Sequence, residues 1–251
     1  REASNAIVPS GALLKATLLN STDDMTNIAG FPSNAEGWGR INLSNTITFD
    51  IAERGMIVED IRNADGLATG EFYALPVLVT DAGSPLRITM TFVDPAAAAS
   101  TGSGDAWIND LDLVVTAPSG AVYRGTVFSG GESATGGAKD EANNVEQVRI
   151  STPETGTYVV RIDAAAVIVG VQGFALVSTG RIDVGDLPLG FALQSTPADL
   201  VVPGTSSLVG IEVDPRDENL VGAPVVQYAA DGSNFAAIPL TNTGGFAWTT
   251  T

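Results

Sequence analysis

The 251-residue sequence contains no cysteine and no histidine. The first absence removes disulfides, thiolate nucleophiles and the sulfur ligands of structural zinc and iron sites. The second removes the imidazole base on which an ordinary serine–histidine–aspartate arrangement depends. Lysine is almost missing as well. Lys15 and Lys139 stand alone, and neither lies in a pattern that pairs it with a serine nucleophile, so a serine–lysine mechanism also lacks its base. No catalytic residue is assigned. The glycine-rich stretches 66–70 and 125–137 lack the Gly-Lys-Ser or Gly-Lys-Thr ending and the helix that a phosphate loop needs.

Positive charge is scarce, with 12 Lys and Arg against 29 Asp and Glu for a formal charge of −17. A surface of that sign repels phosphates, which excludes nucleic acid as a partner. Divalent cations are the partners it invites, with solubility or salt tolerance as the plainer reading. Long apolar runs are lacking too. Stretches such as 164–171 fall far short of the roughly 20 apolar residues of a membrane span. The first residues have no apolar core of a signal peptide, and Arg1 in place of Met predicts an internal fragment of a longer polypeptide.

Glycine and proline, by contrast, are plentiful at 28 and 13, and charged residues make up only 16%, a mixture that suits a β-rich fold with many turns. The best helix candidate is residues 9–20. Pro9 suits its first turn, Ser10 its N-cap, and Leu13, Leu14, Ala16, Thr17 and Leu18 form an apolar stripe. From about Phe49 the period changes to two. Strands are predicted over 56–61, 70–77, 86–93, 111–116, 121–124, 145–150, 157–162 and 172–177, with turn signals between them. Eight short strands without a long intervening helix favour a sandwich or jelly roll. Leu86, Ile88, Met90 and Phe92 share one strand face, as do Tyr158, Val160 and Ile162, and these are the predicted core. Residues 125–137 read as a long polar surface loop. After a linker-like stretch at 185–190, a second β-pattern runs through 208–213, 224–228, 234–240 and 245–249, with Asp231-Gly232 as a hairpin signal. It predicts a small Ig-like module or part of one.

Residues 5–43 resemble the end of the catalytic domain of subtilisin-like serine proteases. The likeness is carried by Asn5, Pro9-Ser10, Leu14-Lys15-Ala16, Leu18-Leu19-Asn20-Ser21 and Gly37-Trp38-Gly39-Arg40-Ile41-Asn42-Leu43. The following residues resemble the jelly-roll barrel that large calcium-dependent members of that family append, through Asn109 to Gly120, Asn143-Asn-Val-Glu146, Gly156 to Val160 and Gln172 to Leu176. The resemblance implies three parts: a catalytic-domain remnant at 1–48, a jelly-roll β-sandwich at 49–183 and the Ig-like module at 184–251. It also implies secretion or cell-surface exposure, a missing upstream protease domain as partner, and protein as substrate. The family's nucleophile, histidine and aspartate match no position here, so the expected role is a non-catalytic accessory segment. The rival reading is a cell-surface adhesion or carbohydrate-binding module. Residues 1–48, separated from their usual neighbours, are expected to pack on the β-domain, bind another copy or become partly disordered.

One polar constellation stands out: Asp94, Asp110, Asp112, Asp140, Asn143, Asn144 and Glu146. In Asp110-Leu-Asp112 two carboxylates share a strand face, where they repel unless protonated, hydrogen-bonded or neutralised. Calcium suits such a set because it accepts six to eight mixed oxygen ligands, and the resembling family uses it. The alternative is a solvated strand face at Asp110, Asp112 and Glu146, with Asp140, Asn143 and Asn144 as turn formers. A weaker acidic cluster lies at Asp214, Asp217, Glu218 and Asn219. Trp38 and Trp107 read as packing residues.

Overall fold

The computed structural model describes residues 8–25, 30–47, 54–97 and 107–185, and beyond them the backbone of five short strands. Two compact units emerge, Arg1–Asp186 and Leu187–Thr251. The first begins with α1 (Gly11–Asn20) and a small ladder of β1 (Thr22–Asp23) with β2 (Arg40–Ile41). Ten strands follow: β3 (Gly55–Ile61), β4 (Phe72–Val79), β5 (Leu86–Thr91), β6 (Asn109–Thr116), β7 (Val122–Ser129), β8 (Glu132–Thr135), β9 (Val145–Ile150), β10 (Gly156–Val167), β11 (Phe174–Gly180) and β12 (Ile182–Val184). They make a six-stranded sheet ordered β12-β4-β10-β6-β7-β8 and a four-stranded sheet ordered β3-β11-β5-β9, with antiparallel pairing throughout.

The alternation of apolar residues dictates what the two sheets bury between them. Val77 and Val79 of β4, Ile88 and Met90 of β5, Leu111 and Leu113 of β6, Tyr158 and Ile162 of β10, and Phe174 and Leu176 of β11 join one core. Burying side chains of this size contributes about 1.5–3 kcal/mol each. The predicted inward sets of β5 and β10 all belong to it.

The outer face of the four-stranded sheet is covered as well. Ala12, Leu13 and Ala16 of α1 pack on Ala175 and Val177 of β11, with Met56 and Val58 of β3 alongside. This explains why β11 is buried on both faces and why its first four residues, Phe174-Ala-Leu-Val177, are all apolar. Of the three outcomes expected for the N-terminal helix, it takes the first. The helix starts at the predicted cap, where the Ser10 hydroxyl accepts from Leu13 N at 2.9 Å while its own N–H and O–H donate to Asp60 at 2.9 and 2.5 Å. The predicted stripe needs correcting. Leu14 and Leu18 are exposed, and the docked face is built from smaller residues that let the helix approach the sheet closely.

Residues 125–137 are also not a loop. They continue β7, turn at Gly130-Gly131 and return as β8. The ladder between β6 and β7 stops at Val114↔Arg124. Beyond Gly125, β7 leaves β6 and runs near β9, with the Thr126 hydroxyl 3.5 Å from the Val145 carbonyl. Here the edges of the two sheets meet.

In the second unit, β13 (Phe191–Leu193), β14 (Gly210–Val213), β15 (Val225–Tyr228), β16 (Ala236–Gly244) and β17 (Ala247–Thr250) form an antiparallel sheet ordered β13-β14-β17-β16-β15. β15 and β16 pair as the Asp231-Gly232 signal predicts, although those two residues lie outside the described ones. So does the acidic run 214–219.

Candidate functional site

The acidic constellation lies on three segments: the end of β5, the N-terminal half of β6, and the approach to β9. Each carboxylate has its own surroundings. Asp94, just past β5, clamps the start of β6 by accepting from Ile108 N and Asn109 N at 2.8 Å each. Asp140 accepts from Ala142 N, Asn143 N and the Asn143 side chain, so it forms a local turn. Asn144 binds its neighbours at two atoms. Its carbonyl accepts from Phe92 N at 3.2 Å, and its side-chain oxygen accepts from Lys15 Nζ at 3.1 Å.

Asp110, Asp112 and Glu146 are buried, which overturns the solvated-face alternative for these three. Asp112 stands directly opposite Asp163 across the β6–β10 ladder, an arrangement that repels. Lys139 relieves it, with Nζ 2.5 Å from Asp112 and 3.9 Å from Asp163. Burial still pushes the Asp112 carboxyl above the usual carboxylate range, against the pull of Lys139.

Glu146 pairs with Met90 and therefore faces the space between the sheets. One carboxylate oxygen accepts from Leu113 N at 2.8 Å, a donor on the stretch of β6 that β7 has left, and the other oxygen is buried without a partner. Burial drives this group up to about 9. Gly125 is required beside it, because a Cβ there would collide with the Glu146 side chain.

Asp110 is different again. It is 6% exposed, and among the described residues it accepts no hydrogen bond and makes no ion pair. Burial, then Asp112 and Glu141, raise it to about 6. Its side chain lines a cavity of about 270 Å³ with Asp94, Asn143, Asn144, Glu141, Asn109, Phe92 and Trp107. The structure therefore brings Asp94, Asp110, Asn143 and Asn144 to one cavity and leaves Asp112, Asp140 and Glu146 out of its lining. Trp107 walls that cavity.

Calcium needs six to eight oxygen donors around one point. As placed, Asp94 is engaged by two backbone N–H groups, Asp112 by Lys139, Asp140 by its turn, Asn144 by Lys15, and Glu146 by Leu113. Among the described residues no three acidic side chains converge on a metal position.

Two residues important to the site, Glu141 and Asn109, were not among the predicted site residues. Glu141 adjoins the cavity from a turn whose geometry only the fold reveals. Asn109 is buried and its side chain makes four hydrogen bonds: its oxygen accepts from Ile168 N and Val169 N, and its amide donates to Val169 O and Gln172 Oε1. That holds the β10–β11 connection against the cavity rim. Among the described residues the aromatic side chains Trp38 and Phe31 are taken up in packing. Trp38 meets Phe128 edge to face at 6.2 Å, and Phe31 is buried beneath the Arg149 guanidinium.

No helix among the described residues is long and apolar enough to cross a membrane. No protein-family model matches the chain. It is 30% identical over 175 residues to a protein of Dictyostelium discoideum named serine protease/ABC transporter B family protein tagA, an overlap of 67% of this chain and 10% of that protein's length. Among solved structures it is similar to a periplasmic inhibitor of g-type lysozyme from Aeromonas hydrophila, at 14% identity over 55% of this chain and 94% of that one, with a TM-score of 0.28. A Sulfurospirillum deleyianum protein gives 9% identity over 49% and 96%, also at 0.28. The chain is thus mainly β and similar over part of its length to a far longer protein with serine protease in its name.

Proposed function

We propose that this chain is a non-catalytic accessory part of a secreted subtilisin-like serine endopeptidase, with a jelly-roll-type sandwich and an Ig-like second unit. Its role is to stabilise the catalytic domain or to hold protein substrate near it. The observation that carries this reading is the riveting of the protease-like segment to the sandwich. Asn20, at the end of α1, donates to Thr89 Oγ1 and Val177 O and accepts from Thr46 and Thr179, so one buried side chain ties the helix to β5, β11 and the 40–47 segment. Arg87 and Arg149 add bonds to the Thr22 carbonyl at 3.1 and 3.3 Å. A catalytic domain ending in such a helix would have its last element held by the sandwich, and unfolding of either would then cost contacts in both. The partial likeness to a serine-protease-named protein supports the same reading.

Ser10 is not a nucleophile in this scheme. Its hydroxyl caps α1 and binds Asp60, and the sequence holds no histidine to serve as its base.

The test is to recover the natural polypeptide with an antibody against residues 107–185 and treat it with a fluorophosphonate probe for active serines. A labelled polypeptide longer than 25.7 kDa, or a labelled second chain retained with this one, is the expected result. Recovered material that does not label, whatever its mass, overturns the proposal.

A further inference from the structure

The cavity at the end of the sandwich combines features that a solvated acidic turn does not need. Asp110 is only 6% exposed, yet among the described residues its carboxylate accepts no hydrogen bond and closes no ion pair, with Lys139 acting on it only from a distance. Leaving a buried charge unpaired is costly unless something outside completes it. The cavity volume, about 270 Å³, is several times the roughly 30 Å³ that one water occupies in the liquid. It is roomy for a bare metal ion, and Asp94 and Asn144 beside Asp110 are already engaged by N–H groups and Lys15. Two aromatic residues, Phe92 and Trp107, are among those that line it. Residues next to its lining are apolar and exposed: Val93, between Phe92 and Asp94, at 64%, and Ile168 and Val169, bonded to Asn109, at 70% and 52%. Their backbone is held, because Asn109 binds Ile168 and Val169 and Gln172 donates to the Val93 carbonyl at 3.3 Å.

A carboxylate at the back, aromatic walls and an apolar rim are complementary to one common protein group. A guanidinium presents planar paired donors to a carboxylate, stacks on aromatic faces and gives up hydration more readily than an ammonium. Its aliphatic stem and the apolar residues beside it would cover the valine and isoleucine rim. We propose that this cavity binds an arginine side chain of a protein segment, with Asp110 as its carboxylate partner, Phe92 and Trp107 as its walls, and Val93, Ile168 and Val169 taking the flanking apolar residues. The site stands whether or not the chain belongs to a protease.

The test is calorimetric titration of the full chain at low salt with N-acetyl-Leu-Arg-Leu-amide and with the same peptide carrying citrulline, which keeps the shape and loses the charge. Binding of the arginine peptide at least fivefold tighter than the citrulline peptide is expected. Asp110→Asn should lower arginine-peptide affinity at least fivefold, while Asp183→Asn, on exposed β12 far along the sequence, leaves it unchanged. Should Asp110→Asn fail to fold, Glu141→Gln and Trp107→Ala carry the same comparison. Discrimination below fivefold, or no binding of either peptide, overturns the proposal. So does binding of calcium chloride through Asp110 by a protein that ignores the arginine peptide, which would make this a metal site.

Discussion

Glu146 and Lys139 show how the same type of residue, a charged side chain on a β-sandwich, takes opposite energetic roles according to its neighbours. Glu146 is buried with one oxygen unpartnered and is driven from 4.5 up to about 9. Below about pH 4.5 both folded and unfolded chains hold this proton, and its contribution to stability is complete. As pH rises toward 9 the unfolded chain releases the proton while the folded one retains it, so stability falls across that window. Glu146→Gln keeps the acceptor for Leu113 N and removes the ionisation. It is expected to raise stability by roughly 1–3 kcal/mol at pH 8 and to change little at pH 4, as read from thermal unfolding across pH. Lys139 acts in the reverse sense. Lys139→Met leaves Asp112 and Asp163 facing each other without their shared cation, and is expected to cost roughly 1–3 kcal/mol at pH 7. The loss should shrink in acid, where the carboxylates are protonated.

At the scale of elements, the period-two pattern told which residues of β5 and β10 share a face, and those faces are the core. It could not tell that the other face of β5 is covered too. Thr89 and Thr91 look like solvent-facing positions by alternation, yet both are buried because α1 lies over them, and Thr91 donates to the Ala12 carbonyl at 2.8 Å. The same limit explains the acidic residues. Spacing put Asp110 and Asp112 together on one face, but their burial and the inward turn of Glu146 depend on where β7 leaves β6, a non-local event. β8 was hidden for a related reason, since Glu132-Ser-Ala-Thr135 has no apolar alternation and is held by its partner strand β7 and by hydrogen bonds from Arg149 and Ser151. The helix is where this matters most for stability. Asn20→Ala removes four buried hydrogen bonds and strands their partners, and is expected to cost roughly 2–4 kcal/mol. Hydrogen exchange should then quicken in α1 before it does in β10. Ser10→Ala should cost about 1 kcal/mol and loosen only the first turn by the same measurement.

For the molecule as a whole, a charge of −17 over 251 residues means that folding concentrates like charge, so screening should favour the folded state. Melting temperature is expected to rise between 10 mM and 500 mM sodium chloride, with magnesium chloride at equal ionic strength giving a similar rise if no divalent site contributes. A much larger shift with calcium than with magnesium would reveal a specific site after all. The first unit contains the whole main core, and a chain ending at Asp186 is expected to unfold in a single cooperative transition by calorimetry.

The docking of α1 also bears on how such a protein can be assembled from parts. A join placed at residue 48, between the protease-like stretch and the β-pattern, would strip Ala12, Leu13, Ala16 and Asn20 from the outer sheet. It would leave Thr89, Gln147, Ser178 and Thr179 facing water beside a bare apolar strip. Arg87 and Arg149, opposite each other on β5 and β9, would lose the carbonyl of Thr22 that both now reach. A rearrangement that gave the sandwich a new upstream neighbour is therefore expected to be tolerated best if the chain is rejoined ahead of Pro9, which keeps the helix on its sheet.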